Sequence, residues 1–329
     1  MEKNTIKKHF SKLGLVLFLG TLLIYGIQWL SLTLAENIPA IAANNTLSFL
    51  CAMLPMYVIA YPIIFLMLKT VPAYTGLEKK KMKPLHIIAA FAMTFSAAYI
   101  CNLIANMITM VIGIIKQSPV QNVILDLTGS IHPLANLFII AICAPVMEEL
   151  LFRKFIVDRT VQYGEGVAIV FSGLVFGFFH GNLVQFMYAT TLGMFFAFIY
   201  IKTGNIIYTT ILHFLQNFIS SFVAVLILEK SGYMELMEVI SGEVTESELM
   251  QVIMDNAAGL CLFAAYIIIV LCVVLAGIIL FLVNMKKFTV GTREVIIPKG
   301  SRFKTLFLNV GVILYCVFWI VMMIMQLLR

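Results

Sequence analysis

The chain has 329 residues, of which 62% are hydrophobic and only 12% charged, with a net charge of +6 and a mean hydropathy of +1.03. This composition excludes an ordinary soluble domain and a disordered chain, and describes a polytopic membrane protein. The excess of basic residues has no soluble module or basic stripe to sit on, so it is a topological signal and not a nucleic-acid footprint.

The apolar runs are continuous and long enough for helices crossing ~30 Å of hydrocarbon, whereas a membrane β-barrel would show short alternating strands. The expectation is therefore one all-α transmembrane domain over 1–329, a bundle of eight or nine helices. In chain order the spans run from 13 to 33, 47 to 68, 86 to 115, 133 to 153, 166 to 182, 183 to 202, 205 to 228, 257 to 283 and 305 to 327. Lys3, Lys7, Lys8 and Lys12 precede the first span as they would a signal peptide. Its apolar run exceeds the h-region of about 7 to 15 residues, so a retained helix is expected. The fifth span is short, and only a tight Gly181-Asn182 joint separates it from the sixth.

Basic residues cluster at the N-terminus, at Lys69 and Lys79 to Lys83, at Lys202, and from Lys286 to Lys304. Nine alternating crossings place all of these on one side, which the positive-inside rule makes cytoplasmic. A multi-pass protein of the cell membrane with a cytoplasmic N-terminus follows, with a basic cytoplasmic loop at 284–304 and an acidic non-cytoplasmic segment at 229–256. Glu36 and Asp126 fall on the acidic side too. Within the acidic segment Thr245 and Glu248 have capping-box spacing, and Leu249, Val252 and Ile253 would share one helical face. The six cysteines lie in apolar runs without ligand spacing, and so act as small hydrophobes. GxxxxGKS/T, GxGxxG, HExxH and GxSxG are all absent, which argues against nucleotide-driven pumps, zincins and serine hydrolases.

The chemistry lies in three later spans, a catalytic core over about 133–228. Each ionisable group inside a bilayer costs about 2.5 to 3.5 kcal/mol on insertion scales, so a cluster of them marks a function. The fourth span carries Ala-Pro-Val-Met-Glu148-Glu149-Leu-Leu-Phe-Arg153. Glu149 and Arg153 are four apart and share a helical face, whereas Glu148 is turned about 100° away, so Arg153 neutralises Glu149 and leaves Glu148 free. A free, desolvated carboxylate beside a second negative charge suits a general base. The competing reading makes this stretch the cytoplasmic end of a helix, with Arg153 and Lys154 snorkelling to the surface. The fifth span ends Phe176-Gly-Phe-Phe-His180, with Gly173, Gly177 and Gly181 forming a stripe that lets a neighbouring helix approach. The seventh span carries His213 and Asn217, two donors a turn apart that suit an oxyanion or a water. Asn217 equally suits an interhelical hydrogen bond, and the residues alone leave both open.

The ordered set Glu148-Glu149-x-x-x-Arg153, Phe176-x-x-x-His180 and His213-x-x-x-Asn217 resembles the CPBP family of intramembrane proteases, which includes the CAAX prenyl endopeptidases and bacteriocin-processing enzymes. The resemblance covers about 133–228. It implies endoproteolysis by an activated water, with a membrane-embedded or lipidated peptide or protein as substrate and the lipid bilayer as its setting. Glu148 would be the base, His180 would help hold and polarise the water, His213 and Asn217 would stabilise the oxyanion, and Glu149, Arg153 and Phe176 would support them. No cofactor is favoured; the metal alternative is a zinc ion held by Glu148, His180 and His213. Two other readings stand beside the protease. One is a proton-coupled transporter using the same carboxylates and histidines as a relay. The other is a non-catalytic bacteriocin-immunity or scaffold membrane protein that retains the motifs.

Overall fold

A computed structural model of the chain describes residues 3–121, 123–242, 245–293 and 295–328, all of them in helices, turns or extended links with no strand. Eight helices are long and apolar enough to cross a membrane: α1 (Asn4–Glu36), α2 (Asn45–Lys69), α3 (Pro84–Lys116), α4 (Pro133–Tyr163), α6 (Leu183–Thr203), α7 (Ile206–Lys230), α10 (Ala257–Lys287) and α11 (Val310–Leu328). The shorter α5 (Glu165–Phe178) has 14 residues, or ~21 Å of helix, less than the ~30 Å hydrocarbon thickness. It forms a hairpin with α6. The amphipathic α8 (Tyr233–Ser241) and α9 (Glu246–Asp255) occupy the acidic segment. The α9 capping box forms as its spacing predicts: the Glu248 N–H donates to Thr245 Oγ1 and the Thr245 N–H to Glu248 Oε2. Glu243, counted in that acidic segment, lies outside the described residues.

The main core gathers α1, α2, α4, α5 and α11 around Phe10, Leu13, Tyr61, Phe152, Phe171 and Tyr315. Large apolar side chains such as Leu103 and Met107 of α3, and Ile268 and Ile279 of α10, remain exposed, as lipid-facing positions should.

The fourth span runs further than its hydropathy suggests. It continues to Tyr163, because the charges that seemed to end it are satisfied within the bundle. Lys154 pairs with Asp158 at 2.7 Å, and Arg159 donates to the Leu68 carbonyl at 2.8 Å. Glu148 and Glu149 consequently stand mid-helix and not near one end, and Arg153 is fully buried. That burial removes Arg153 from the snorkelling alternative, while the Lys154 side chain stays 55% exposed.

Two features shape α4 around its carboxylates. Pro145 has no N–H to give to the preceding turn, and π-helical stretches at Leu137–Cys143 and Leu150–Val157 lie on either side of Ala144–Glu149. A π turn widens the helix and frees carbonyls that another element must satisfy. The Ile140 carbonyl accepts from Asn217 Nδ2 at 2.9 Å. One turn away, Asn136 Nδ2 donates to the Ser221 carbonyl at 2.7 Å, inside the π-helical Phe218–Val223 stretch of α7.

The glycine stripe holds the α5–α6 hairpin together. A Cβ on Gly173 would stand 3.0 Å from the Thr190 carbonyl, and one on Gly177 2.9 Å from the Phe186 carbonyl, so only glycine permits this approach. Gly181 turns the hairpin with φ +65°, and Asn182 caps α6 by accepting the Gln185 N–H.

All the basic segments meet at one end of the bundle. His9 Nε2 contacts the Arg159 carbonyl, the Lys80 N–H donates to the Thr203 carbonyl, and Glu165 ties α6 to the 288–298 link. Its Oε2 accepts from Lys202 Nζ at 2.6 Å and from the Gly291 N–H at 2.7 Å, and its Oε1 from Arg293 at 2.7 Å. Burial works against the charge of Glu165, but these three donors hold its carboxyl below its ordinary 4.5. A depressed carboxyl stabilises the fold fully above the unfolded value, and that contribution is lost as pH falls through the folded one. Melting curves in detergent should therefore show a loss of stability below about pH 4.5 that is smaller in Glu165→Gln. An identical acid dependence in the two proteins would remove Glu165 from the account.

Candidate active site

Three helices and one turn converge on a buried polar cluster inside an apolar bundle. Arg153 places its guanidinium 3.0 Å from Glu149 Oε1, both side chains being fully buried. The same oxygen accepts the Nδ1–H of His213 at 3.0 Å. His213 then presents Nε2 to Glu148 Oε2, 3.6 Å away. Glu149 thus fixes the ring of His213 in one orientation, a carboxylate–imidazole pair of the kind that sets tautomer and direction. The expected pairing of Glu149 with Arg153 is present, and Glu148 retains partial exposure, 14%, against none for Glu149.

Phe176 is the wedge about which the cluster is built. Its ring meets His180 edge-on at 4.9 Å and His213 edge-on at 5.7 Å, while Arg153 lies over it at 4.6 Å. Phe196 closes the other side, 5.5 Å from the His213 ring and 5.4 Å from the guanidinium carbon of Arg153. A cation over two ring faces is partly solvated by them, worth ~2 kcal/mol where water is excluded.

His180 sits in the turn after α5. Its Nδ1–H donates to the Phe176 carbonyl at 2.9 Å, which leaves Nε2 as the acceptor of the neutral ring. It lies within the electrostatic reach of Glu148 and His213. His180 therefore offers a lone pair at Nε2, and His213 turns its own Nε2 towards Glu148.

Glu148, Glu149, Arg153, Phe176, His180 and His213 come together as the motif spacing suggests, and Asn217 stands one turn beyond His213. One amide N–H of Asn217 is committed to Ile140, so it makes the interhelical bond that its sequence left open and keeps a single N–H for other use.

Tyr57, Tyr61 and Tyr188 belong to the same packed core as Met147 and Phe176. Sequence reasoning passed over them. The signal was Tyr57 and Tyr61, two phenols four apart in the second span, which share a face and aim at one neighbour.

The donors do not fit a metal centre. Among the described residues no three His, Cys, Asp or Glu side chains are grouped to hold an ion. The zinc set of Glu148, His180 and His213 is therefore not assembled.

A family model described as Type II CAAX prenyl endopeptidase Rce1-like matches residues 130–219, a window that contains every motif from Glu148 to Asn217. The chain is also 30% identical over 172 residues to "Putative membrane peptidase YdiL" of Bacillus subtilis (strain 168), an alignment covering 51% of this chain and 67% of that protein. No solved structure matches it significantly.

Proposed function

Because the chain belongs to the CPBP family of membrane proteases, which includes the Rce1-like CAAX prenyl endopeptidases, we propose that it cuts a membrane-associated or lipidated peptide by direct attack of a water activated at Glu148. The observation that supports this reading is the division of the two carboxylates. Glu149 engages both Arg153 and His213 through Oε1, while Glu148 has His213 Nε2 at 3.6 Å and no arginine or lysine partner among the described residues.

A water between Glu148 and His180 would donate one hydrogen bond to each, to the carboxylate and to the Nε2 lone pair. Glu148 would accept its proton as oxygen attacks the peptide carbonyl, and would return it to the leaving amine. The tetrahedral oxyanion would be met by the remaining N–H of Asn217, held by Ile140, and by the ring of His213, oriented by Glu149, where its Nε2 bears a proton. The proton relay of a transporter gains no support from this layout. The two imidazoles cluster around Phe176, with Glu148 beside His213, and do not string along a path through the membrane.

Comparative peptide mass spectrometry of membranes from cells carrying the intact protein or Glu148→Ala tests the reading. Peptides released only by the intact protein would name the substrate and show whether it is lipidated; identical peptide sets would end the proposal. A strong chelator should leave the purified enzyme active. Loss of activity on dialysis against chelator, restored by stoichiometric zinc, would require metal-assisted hydrolysis in place of this mechanism.

The same proposal places the N-terminus and the basic end of the bundle in the cytoplasm of a cell whose surface membrane holds the protein. In a cysteine-free version, single cysteines at Glu235 or Glu246 should label with an impermeant maleimide in intact cells. Labelling at Lys80 instead would invert the topology.

A further inference from the structure

We infer that the second half of α3 is the contact surface between two copies of this chain in the membrane, joined through Asn102 and Asn106. The inference is independent of the chemistry proposed above and concerns how the protein assembles.

α3 is the least covered of the eight spans, and its two halves differ. Up to Ser96 it is held closely. Ser96 Oγ donates to the Val274 carbonyl of α10 at 2.9 Å, Thr94 Oγ1 accepts from Gln216 of α7 at 3.0 Å, and a Cβ on Gly277 of α10 would stand 2.1 Å from the Ala92 carbonyl. Beyond that level the neighbours are drawn elsewhere. The start of α10 packs on α7 and α8, where a Cβ on Gly259 would stand 2.6 Å from the Lys230 carbonyl and the ring of Phe263 meets Tyr233 at 4.9 Å. The end of α3 is tied to α11 by Lys116 Nζ, which donates to the Leu327 carbonyl at 3.1 Å. Between these ties Asn102, Asn106 and Met110 are exposed.

The two asparagines do not belong against lipid. The run 107–115, ~13 Å of largely apolar helix at 1.5 Å per residue, separates Asn106 from Lys116. On the other side 87–101, ~22 Å of helix, separates Asn102 from the Lys83 end. The pair thus stands inside the hydrocarbon layer, where neither water nor acyl chains bond an amide. Asn106 Nδ2 donates to the Asn102 carbonyl at 2.9 Å and to Asn102 Oδ1. The Asn102 amide N–H groups and Asn106 Oδ1 have no partner among the described residues.

What the pair lacks identifies the occupant. The cost of bare amides in hydrocarbon is permanent, so the partner that relieves it must be resident, and a substrate is there only in passing. A second copy is always available and is inserted in the same orientation, so the two-fold axis relating the copies runs along the membrane normal. Two α3 helices then run parallel and bring the same residues to the same depth, which sets the unspent donors and acceptor of one copy against those of the other. Met110 and Gly113 continue the face, eight and eleven residues on from Asn102. A groove of about 540 Å³ lined by Asn106, Met110, Gly113 and Gln117 deepens it. A space of about 150 Å³ holds one benzene ring, so this groove takes several apolar side chains of a facing helix.

The test is self-association of the full chain in phosphatidylcholine vesicles, read as energy transfer between copies labelled with donor or acceptor dye at Lys80→Cys, over a range of protein-to-lipid ratios. Transfer should follow a monomer–dimer curve. Asn102→Leu with Asn106→Leu should lower the association constant about tenfold, the worth of two symmetry-related bonds at roughly threefold each. In an otherwise cysteine-free version, Met110→Cys should give a dimer with a short thiol cross-linker, and Val58→Cys, exposed on α2, should not. The cross-link leaves the asparagines intact, so it decides the matter even where the leucine variant fails to accumulate. Monomers at every density, or dimers indifferent to the double change, would overturn the inference. A Met110→Cys adduct to a different membrane protein in cells, with no dimer, would overturn it as well.

Discussion

Purified Glu148→Ala should lose at least about 10²- to 10⁴-fold in cleavage rate, the usual worth of a general base, while melting at the wild-type temperature or slightly above it. The separation of effects follows from the surroundings of Glu148. It is partly exposed and has no cation of its own, whereas Glu149 holds both Arg153 and His213. Removing an uncompensated carboxylate from a low-dielectric site relieves a desolvation cost, and active-site groups of this kind are retained for reaction and not for stability. His180→Ala should behave similarly, because its Nδ1 bond to Phe176 is local to one turn. Turnover by Glu148→Ala within a factor of ten of wild type would remove it from the mechanism.

Arg153→Ala should instead cost both activity and about 3 to 5 kcal/mol of stability, since it leaves a fully buried carboxylate without its cation. It also strips a charged plane from between Phe176 and Phe196, the rings that seat the two imidazoles. The double change Glu149→Gln with Arg153→Gln removes both charges and should recover part of the lost melting temperature. Recovery should be incomplete, because the neutral amide that replaces the Glu149 carboxylate would hold the His213 Nδ1–H less firmly. A double variant that melts no higher than Arg153→Ala would show that the two residues are not energetically coupled.

What the sequence revealed and what it hid divide along one physical line. Pairs within a single helix were legible, because i and i+4 share a face whatever the rest of the chain does: Glu149 with Arg153, and Phe176 with His180. The membrane setting was equally legible from the length of the apolar runs. The bond from His213 to Glu149 spans 64 residues, and no spacing rule reports which face of α7 meets which face of α4. The end of α4 was misplaced because hydropathy charges the full cost for Lys154, Asp158 and Arg159 and gives no credit for the partners that each finds. Asn217 was ambiguous for a related reason. Its acceptor is a carbonyl freed by a π-helical stretch, and nothing in Leu137–Cys143 announces that geometry.

Those π-helical stretches also govern how the chain tolerates changes of length. Each behaves as an α-helix into which an extra residue has been taken up as a bulge. Deleting one residue from Leu137–Cys143 would let the segment relax into regular α-helix, at no cost in backbone hydrogen bonds. The halves on either side would keep their facing, because the bulge absorbs the extra residue, and the loss would fall on the Ile140 carbonyl that now meets Asn217. Single-residue deletions in these two stretches are therefore absorbed along the helix and felt at the carbonyls that the wide turns had freed.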